Sequence, residues 1–511
     1  MNEDQSVRSV LIVGGGTAGW MTAVYLNRFL KRTGITVSLV ESATIPTIGV
    51  GEATVPAMVK FLRDLKLDEH EFMVQSHATY KLAIKFVGWI HEDHEFWHPF
   101  GPCGGVIDGV DLFHYWVKGV RTGRITQPYH SYSLQAQLIL TGRAPKPIGG
   151  TSSVMETGAY AYHLDASAFA EYLKAVAKRE GVTYIVDDVR DVVLDENGLI
   201  DRVETEGGRT LAADLFIDCT GFRARLIEQT LRDPWMDWSH LLLCDRAVAM
   251  PLPVDPAMET YTRSEAMSSG WMWRIPLSHR VGCGYVYSSN HISEEAAARE
   301  LVAKGDPLGN RLAEPRFLKI KVGRRTNTWV ANCISIGLSS GFLEPIESTG
   351  ILLIQRAVEL LMQHFPDRKF DTSLRNIYNR RIVELYEGVR DFIILHYVLN
   401  QRNKDAFWRD SRNVPLPSTL EEGIQLYEEN GSIDPRLTSV FSETSFHFIL
   451  AGGERLPRRA PTRADLSDFA AVVQILEAIR DQNQSWIKTS PTHRDLIAWM
   501  HRISSESHSA I

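Results

Sequence analysis

The first forty residues combine short apolar runs with a helix-period pattern. Ser9–Val13 is an apolar run typical of a buried strand, and the glycine-rich residues 14–19 follow it directly. A helical pattern covers residues 20–30, and a second apolar run at residues 36–40 ends at Glu41. Because the connections are short, this order predicts a βαβ unit, the usual start of a doubly wound parallel sheet.

The middle of the chain continues the same α/β pattern. Asp165 is placed to cap a helix that runs to about residue 179, and Gly181 is placed to end it. Strand patterns follow at Thr183–Val186 and Leu215–Asp218. Residues 219–221 form a tight turn after the second strand and could also face a dinucleotide.

The last third changes to long helical patterns, at residues 351–365, 374–400 and 467–480. The pattern therefore predicts an α/β lobe over residues 1–350. It predicts a mainly helical lobe over residues 351–511.

Composition and charge exclude several classes. The 511 residues are 44% hydrophobic, with a net charge of −7 and no basic stripe, so nucleic-acid binding is not expected. No window approaches the roughly 20 apolar residues that span a bilayer. The start is polar and acidic, unlike a secretory signal, and the five cysteines are scattered, so we expect a cytoplasmic protein without disulfides.

Three glycines of residues 14–19 have a physical task in a dinucleotide site. Gly14 permits a tight turn, Gly16 lets the backbone approach a pyrophosphate, and Gly19 allows close helix–strand packing. Thr17 and Ala18 begin the helix, whose N-terminal N–H groups suit phosphate. Glu41 would accept hydrogen bonds from ribose hydroxyls. The motif alone does not separate FAD from NAD, and a loop without ligand is the alternative.

Three further segments carry a family resemblance. They are Trp271-Met272-Trp273-Arg274-Ile275-Pro276, Lys81 within Thr79-Tyr80-Lys81-Leu82, and Pro345-Ile346-Glu347-Ser348-Thr349-Gly350-Ile351. Together with residues 14–20 and 51–54, they resemble the flavin-dependent halogenases, in the tryptophan/indole halogenase branch. The resemblance covers about the first 350 residues.

The resemblance implies the fold, the cofactor and the reaction. The fold would be a flavin monooxygenase-like doubly wound FAD-binding lobe with a mostly helical C-terminal lobe. Inserted segments of the first lobe would line the substrate site and a tunnel, and the helical lobe would close the substrate site. FADH2 from a separate flavin reductase would react with O2 and a bound chloride or bromide. The resulting hypohalous acid would cross an internal tunnel to a lysine, which presents the halogen to an aromatic substrate.

The resemblance makes Lys81 and Glu347 the catalytic residues, and their chemistry agrees. A lysine can hydrogen-bond hypohalous acid as an ammonium or form an N-haloamine as an amine, and burial favours the amine. Glu347 can polarise the oxidant or accept the proton that the ring loses. The alternatives are a solvated helix residue for Lys81 and a helix-capping acid for Glu347.

The remaining sites also follow from the resemblance. Thr349 and Gly350 begin a helix whose N–H groups would hold the halide. Contacts to the flavin are expected from Leu338, Ile351, Val189 and Ala53. Trp271 and Trp273 alternate as on a strand and would line the gap between flavin and substrate, with Ser348 beside the tunnel. Two aromatics that pack a core are the alternative for the tryptophans.

The substrate pocket matches the family only in part. His98 and Phe100 correspond to residues that sandwich an indole ring. The tyrosine pair that grips tryptophan's amino-acid group is replaced by Phe446 and His447, and the acid by Gly453. Indole or an indole derivative is therefore expected rather than free tryptophan. His91, His94 and His98 are spaced like metal ligands, but no HExxH pattern is present and no metal is expected.

Two other functions share parts of this pattern. A flavin-dependent aromatic monooxygenase would have the same glycine turn, but would need neither the tryptophan segment nor Lys81. A flavoprotein of the geranylgeranyl reductase type, or one without enzymatic activity, is the other alternative. The sequence does not determine the ring position, the preferred halide or the oligomeric state.

Overall fold

A computed structural model describes residues 5–44, 51–149 and 159–509 of the chain. Its first sheet has six strands, of which five are parallel, in the order Thr183–Val186, Thr36–Glu41, Ser9–Val13, Leu215–Asp218, Cys333–Ser335 and Trp329–Val330. The helices Thr17–Leu30 and Ala166–Arg179 pack against each other. The predicted βαβ unit is confirmed, and Asp165 caps the second helix by accepting from Ser167 and Ala168 N–H.

A second sheet of seven strands was not predicted from the pattern. Its order is Arg316–Lys319, Arg246–Pro253, Arg280–Tyr287, Gly270–Pro276, Tyr261–Met267, Ala83–Val87 and Glu95–Pro99. All neighbours are antiparallel except Tyr261–Met267 and Ala83–Val87. This sheet carries both tryptophans of the family segment and ends in the strand that holds His98.

Smaller sheets complete the strand structure. Gly51–Ala53 and Thr79–Lys81 both pair antiparallel with Ala161–Asp165, which brings Lys81 close to residue 54. The other small sheets comprise Val189–Leu194, Ile200–Thr205 and Thr210–Ala212; Trp235–Asp237, Gly323–Arg325 and Gly341–Phe342; and Val106–Ile107 with Val110–Asp111.

Within the described ranges, every strand ends by Phe342 and the elements after it are helical. The α-helices before this point are Thr17–Leu30, Ala57–Asp64, Glu69–Gln75, Leu112–Arg121, Leu134–Leu140, Ala166–Arg179 and Glu294–Gly305. Those after it are Gly350–Gln363, Thr372–Val398, Ala406–Arg412, Ser418–Asn430, Glu443–Gly452, Phe469–Thr489 and His493–Ser509. The three helices predicted in this region are present, the third nine residues longer at its end than the pattern indicated.

One apolar core joins the two parts of the chain. Trp20 beside the glycine turn, Phe392 in the longest helix and Met500 in the last helix belong to the same buried cluster. A division at residue 350 stays a prediction, since this shared core crosses it. Across residues 5–44, 51–149 and 159–509, no helix has the length and apolar character that a membrane span needs.

Candidate active site

The glycine turn has the geometry that a bound dinucleotide needs. Gly14 has φ +113°, and a Cβ there would lie 2.2 Å from the carbonyl oxygen of Cys219, so the two strand-end turns touch. A Cβ on Gly19 would lie 1.9 Å from the Gly14 oxygen. A Cβ built on Gly16 would meet no atom within 4 Å, and no side chain caps the start of the helix. The turn therefore fits a pyrophosphate at Gly16 and the N–H groups that begin with Thr17.

Glu41 is fixed at the end of its strand by three donors. Its Oε1 accepts from Lys174 Nζ at 2.8 Å and from Tyr184 OH at 2.5 Å, and its Oε2 accepts from Trp20 Nε1 at 3.2 Å. Oε2 also lies against Gly15. A carboxylate oxygen has two acceptor positions, so Oε2 keeps one for a ribose hydroxyl. Lys174 and Tyr184 were not singled out from the sequence.

The residues expected to contact the flavin are distributed around this turn. Ala18 lies against Gly337, which brings the 3-10 turn containing Leu338 to the start of the first helix. The same turn contacts the helix Gly350–Gln363, in which Ile351 is buried. Val189 packs in the apolar cluster at the sheet. Ala53 lies in the small sheet that also contains the strand of Lys81. Their contacts to flavin stay predictions.

Lys81 is fully buried at the end of a strand, not on a solvated helix. Its Nζ donates to the Thr54 carbonyl at 3.1 Å and to Ser348 Oγ at 2.7 Å, and lies 4.9 Å from the centre of the Phe100 ring. Burial lowers the pKa of Lys81 to about 7, although the charge of Glu347 acts in the opposite direction. Amine and ammonium forms are therefore both accessible near neutral pH.

Glu347 is buried and clamped between two imidazoles. Its Oε2 lies 2.9 Å from His98 Nδ1 and its Oε1 lies 2.8 Å from His396 Nε2. Burial raises the pKa of Glu347, but the charge of His98 and the hydrogen bonds from both rings outweigh it and lower the pKa to about 2. His396 is a functional candidate that the sequence did not reveal, because it lies 49 residues further along the chain.

A cavity of about 320 Å³ opens beside Glu347 and Phe100, and Lys81 itself does not line it. Its walls are mostly apolar, with Glu347 and Arg356 as the charged members and three serines near the helix Glu443–Gly452. It is lined by Val55, Pro56, Ala57, His98, Pro99, Phe100, Gly101, Glu347, Leu352, Leu353, Arg356, Leu385, Ser439, Val440, Phe441, Ser442 and Ser445. The volume lies at the low end for small-molecule sites and suits a compact aromatic ring.

His98 and Phe100 line this cavity, but they do not form the predicted sandwich. Their ring centres are 6.4 Å apart and their planes meet at 72°, so they present no parallel faces to a ligand. The reason is that the His98 ring is turned to give Nδ1 to Glu347. Phe100 remains available to contact a substrate ring.

Phe446 and His447 do not line the cavity, contrary to the expectation from the resemblance. Phe446 packs edge-on against Phe392 at 4.8 Å, and His447 stacks on Phe113 at 3.8 Å. The helix Glu443–Gly452 directs Ser442 and Ser445 to the cavity and these two rings into the core. Glu454 is also turned away, toward the surface pair His91 and His94 at 3.7 and 3.8 Å. His98 lines the cavity, whereas His91 and His94 lie beside Glu454.

Trp271 and Trp273 lie on one face of their strand, with ring centres 6.2 Å apart, and both are buried. Trp271 Nε1 donates to Glu344 Oε2 at 2.8 Å, and Tyr397 OH donates to the same oxygen at 2.5 Å. Neither tryptophan lines the cavity described above. Their role as walls of a passage stays a prediction, and Glu344 is a buried acid that the sequence did not single out.

The turn before the helix Gly350–Gln363 brings the predicted halide residues beside Lys81. Ser348 has φ +60° and receives the Lys81 hydrogen bond, and Thr349 follows it, buried. Thr349 makes no side-chain capping bond, and the Cβ position of Gly350 faces open space. The start of this helix is compatible with a small anion, and the halide site at Thr349 and Gly350 stays a prediction.

The parallel sheet, the open glycine turn and the buried lysine define a dinucleotide-binding α/β enzyme. The chain belongs to the tryptophan halogenase family, whose model matches residues 9–468, and it is therefore a flavin-dependent halogenase.

Individual relatives are similar in sequence over nearly the whole chain. The tryptophan 6-halogenase SttH of Streptomyces toxytricini is 36% identical over 518 residues, which cover 96% of this chain and 98% of that protein. Two solved flavin-dependent halogenases are similar with TM-scores of 0.91: BrvH from Brevundimonas sp. BAL3 and Xcc4156 from Xanthomonas campestris. They are 38% and 39% identical, covering 97% and 96% of this chain and 100% and 98% of those chains.

Proposed function

We propose that the protein chlorinates or brominates an indole-type ring, and that Lys81 delivers the halogen. When bound, reduced FAD supplies the oxidising chemistry that converts O2 and halide into hypohalous acid. The observation that carries the proposal is the placement of Lys81. Its nitrogen is fully buried and hydrogen-bonded to Ser348. Ser348 directly follows Glu347 and lies two residues before the start of a helix that has no side-chain cap.

The surroundings of Lys81 suit a group that handles an electrophile. Ser348 and the Thr54 carbonyl orient Nζ, and burial separates the nitrogen from bulk solvent, which limits the loss of hypohalous acid by diffusion. With a pKa of about 7, the nitrogen can either donate a hydrogen bond as ammonium or take the halogen as amine.

Glu347 is suited to stabilise positive charge at the reacting ring. The carboxylate borders the cavity, and its two oxygens are held by His98 and His396. A low pKa makes it a weak base, yet a halogenated arenium ion is a strong acid and loses its proton even to a weak base. Glu347 accordingly accepts that proton while it stays ionised between turnovers.

We further propose that indole or an indole derivative is preferred over free tryptophan. The cavity offers apolar walls, the Phe100 ring and serine hydroxyls. The positions at which the resemblance expects a polar grip on the amino-acid group hold Phe446 and His447, which face the core. SttH is named a tryptophan 6-halogenase, so this preference would distinguish the protein from that relative.

A product-mass assay tests the reaction class. The protein is incubated with FAD, a separate flavin reductase, NADH, indole and bromide, and a matched reaction omits the halide. We expect a product with bromine's isotope doublet only when bromide is present. A product that gains one oxygen in both reactions would support the aromatic monooxygenase instead, which the family match does not favour.

A further inference from the structure

Two buried histidines each place ring nitrogen Nδ1 beside a backbone carbonyl oxygen. His396 Nδ1 lies 2.7 Å from the Phe392 carbonyl oxygen, and His493 Nδ1 lies 2.7 Å from the Met258 carbonyl oxygen. A carbonyl oxygen only accepts hydrogen bonds, so Nδ1 carries a proton in both rings. The second nitrogen of each ring then decides its charge.

The second nitrogens face opposite partners. His493 Nε2 lies 3.1 Å from the Tyr80 backbone N–H, a donor, so His493 must be the neutral ring with a lone pair on Nε2. His396 Nε2 lies 2.8 Å from Glu347 Oε1. A lone pair on each atom at this distance would repel, so a proton must lie between His396 and Glu347.

The proton belongs to the imidazole in this arrangement. The other oxygen of Glu347 lies 2.9 Å from His98 Nδ1, a hydrogen bond that either a neutral or a charged His98 ring can donate. A carboxylate with a donor on each oxygen is stabilised in its ionised form, and the pKa of Glu347 is accordingly low. With Glu347 ionised, His396 carries both ring protons.

We propose that His396 is a buried imidazolium that balances the charge of Glu347, and that this charge favours the uncharged amine form of Lys81. One buried carboxylate stabilises one buried cation, whereas two cations would leave an uncompensated charge in the core. His396 is hydrogen-bonded to the carboxylate, whereas Lys81 Nζ is hydrogen-bonded to the neutral groups Thr54 and Ser348. His396 is thus a positioning residue that keeps the lysine nitrogen available to react.

Glu344 is a second buried acid near His396. Burial raises the pKa of Glu344 to about 7, against the hydrogen bonds from Tyr397 and Trp271 and the charge of His396, so Glu344 is partly protonated near neutral pH. The rings of Phe86, Trp89 and Phe392 also pack around His396.

On the side of Lys81, two further groups complete the set. Burial, with the charges of Lys81 and His493 in the same direction, holds the pKa of His163 well below its ordinary range. Arg356 lines the cavity that Glu347 borders, but it is half-exposed and paired with Glu359 on its own helix.

Nitrogen-15 spectra of the histidine rings test the charge directly, without substrate or turnover. We expect both ring nitrogens of His396 to be protonated at about pH 7, while His493 in the same spectrum is neutral with its proton on Nδ1. In Glu347→Gln, His396 should lose its second proton and His493 should not change. A neutral His396 in the unmodified protein would overturn the proposal.

The pH dependence of halogenation tests the consequence for Lys81, and this arm rests on the proposed function. In His396→Gln an amide donor to Glu347 can remain but the charge is lost, so Lys81 should become the cation. We expect the rate at about pH 7 to fall roughly tenfold and to recover at higher pH, with the midpoint raised by about one unit or more.

His493→Gln is the matched control, because it also replaces a buried histidine with the same carbonyl bond. Its pH midpoint should equal that of the unmodified protein. An unchanged midpoint in His396→Gln would overturn the proposal, and if that variant does not fold, the ring spectra decide. Absence of halogenation in the unmodified protein would defeat the proposed function, but would leave the spectral result intact.

Discussion

At the scale of single residues, the site depends on burying one lysine beside one carboxylate. Lys81 has no exposed surface, and its nitrogen has two fixed partners, Thr54 and Ser348. Under the proposed function, the nitrogen is needed for chemistry and not for the fold or for the glycine turn. Activity, stability and cofactor binding should therefore separate in its variants.

We expect Lys81→Ala to abolish halogenation while FAD affinity is unchanged, because the glycine turn does not contact this side chain. Product mass measures the first and flavin titration the second. Normal turnover in Lys81→Ala would contradict the assignment of the halogen-carrying nitrogen.

Lys81→Met should make the protein more stable at and below about pH 7. The folded pKa of about 7 lies below the ordinary 10.5, so the unfolded state binds more protons between these values and stability rises with pH there. Below about pH 7 the cost of Lys81 is complete, on the order of a few kcal/mol at 1.36 kcal/mol per unit. The difference in melting temperature between variant and parent should shrink toward about pH 10. A difference independent of pH would show that Lys81 is not desolvated in the folded state.

Glu347→Gln should slow product formation by roughly 10², as expected when a positioned acid–base group is lost. FAD affinity should change little, since the carboxylate faces the cavity and two histidines. Single-turnover rates and flavin titration separate the two effects. Loss of flavin or of the fold before loss of rate would indicate that Glu347 acts mainly as a structural acid.

At the scale of elements, the glycine turn offers a paired experiment. Gly14 has φ +113° and no room for a Cβ, whereas Gly16 has φ −75° and open space. Gly14→Ala should destabilise the fold, because its methyl group would collide with the Cys219 carbonyl. Gly16→Ala should fold normally but bind FAD at least about tenfold more weakly, because the methyl group would occupy the space of the pyrophosphate.

Thermal unfolding and flavin titration of the two variants check this pair. Equal FAD affinity for Gly16→Ala and the unmodified protein would place the phosphates elsewhere.

The elements also differ in how visible they are in the sequence. The parallel strands Ser9–Val13 and Leu215–Asp218 are apolar runs bounded by turn residues, and both were predicted with their observed bounds. The strands Gly270–Pro276 and Arg280–Tyr287 are buried almost throughout, so no alternation of polar and apolar residues distinguishes them. Their antiparallel pairing is a tertiary property, and the seven-stranded sheet was missed for that reason.

At the scale of the whole molecule, substrate choice depends on how the helical part meets the seven-stranded sheet. The helix Glu443–Gly452 packs on the strand Glu95–Pro99 and presents serines to the cavity. Hydrogen bonds to charged groups are worth about 1.5–3 kcal/mol each. If two or three of the hydrogen bonds that hold tryptophan's amino-acid group in the family are missing here, tryptophan binding is weakened by several powers of ten.

We therefore expect indole to be halogenated at least as well as tryptophan. Competition between equal concentrations of indole and tryptophan, followed by product mass, measures the preference. A clear preference for tryptophan would mean that Arg356 or the cavity serines hold the amino-acid group.

The sequence by itself determined the parallel α/β start, the glycine turn with Glu41 and the long C-terminal helices, and it singled out Lys81 and Glu347 as candidate catalytic residues. These depend on local periodicity and on motifs whose members are close along the chain. The tertiary structure alone decided the partners: Ser348 for Lys81, His396 for Glu347, and the core for Phe446 and His447. Those contacts join residues from distant segments, and the direction of a side chain on a helix depends on what the helix packs against. Local pattern carries no information about that packing, so charge balance and pocket lining emerged only in the folded chain.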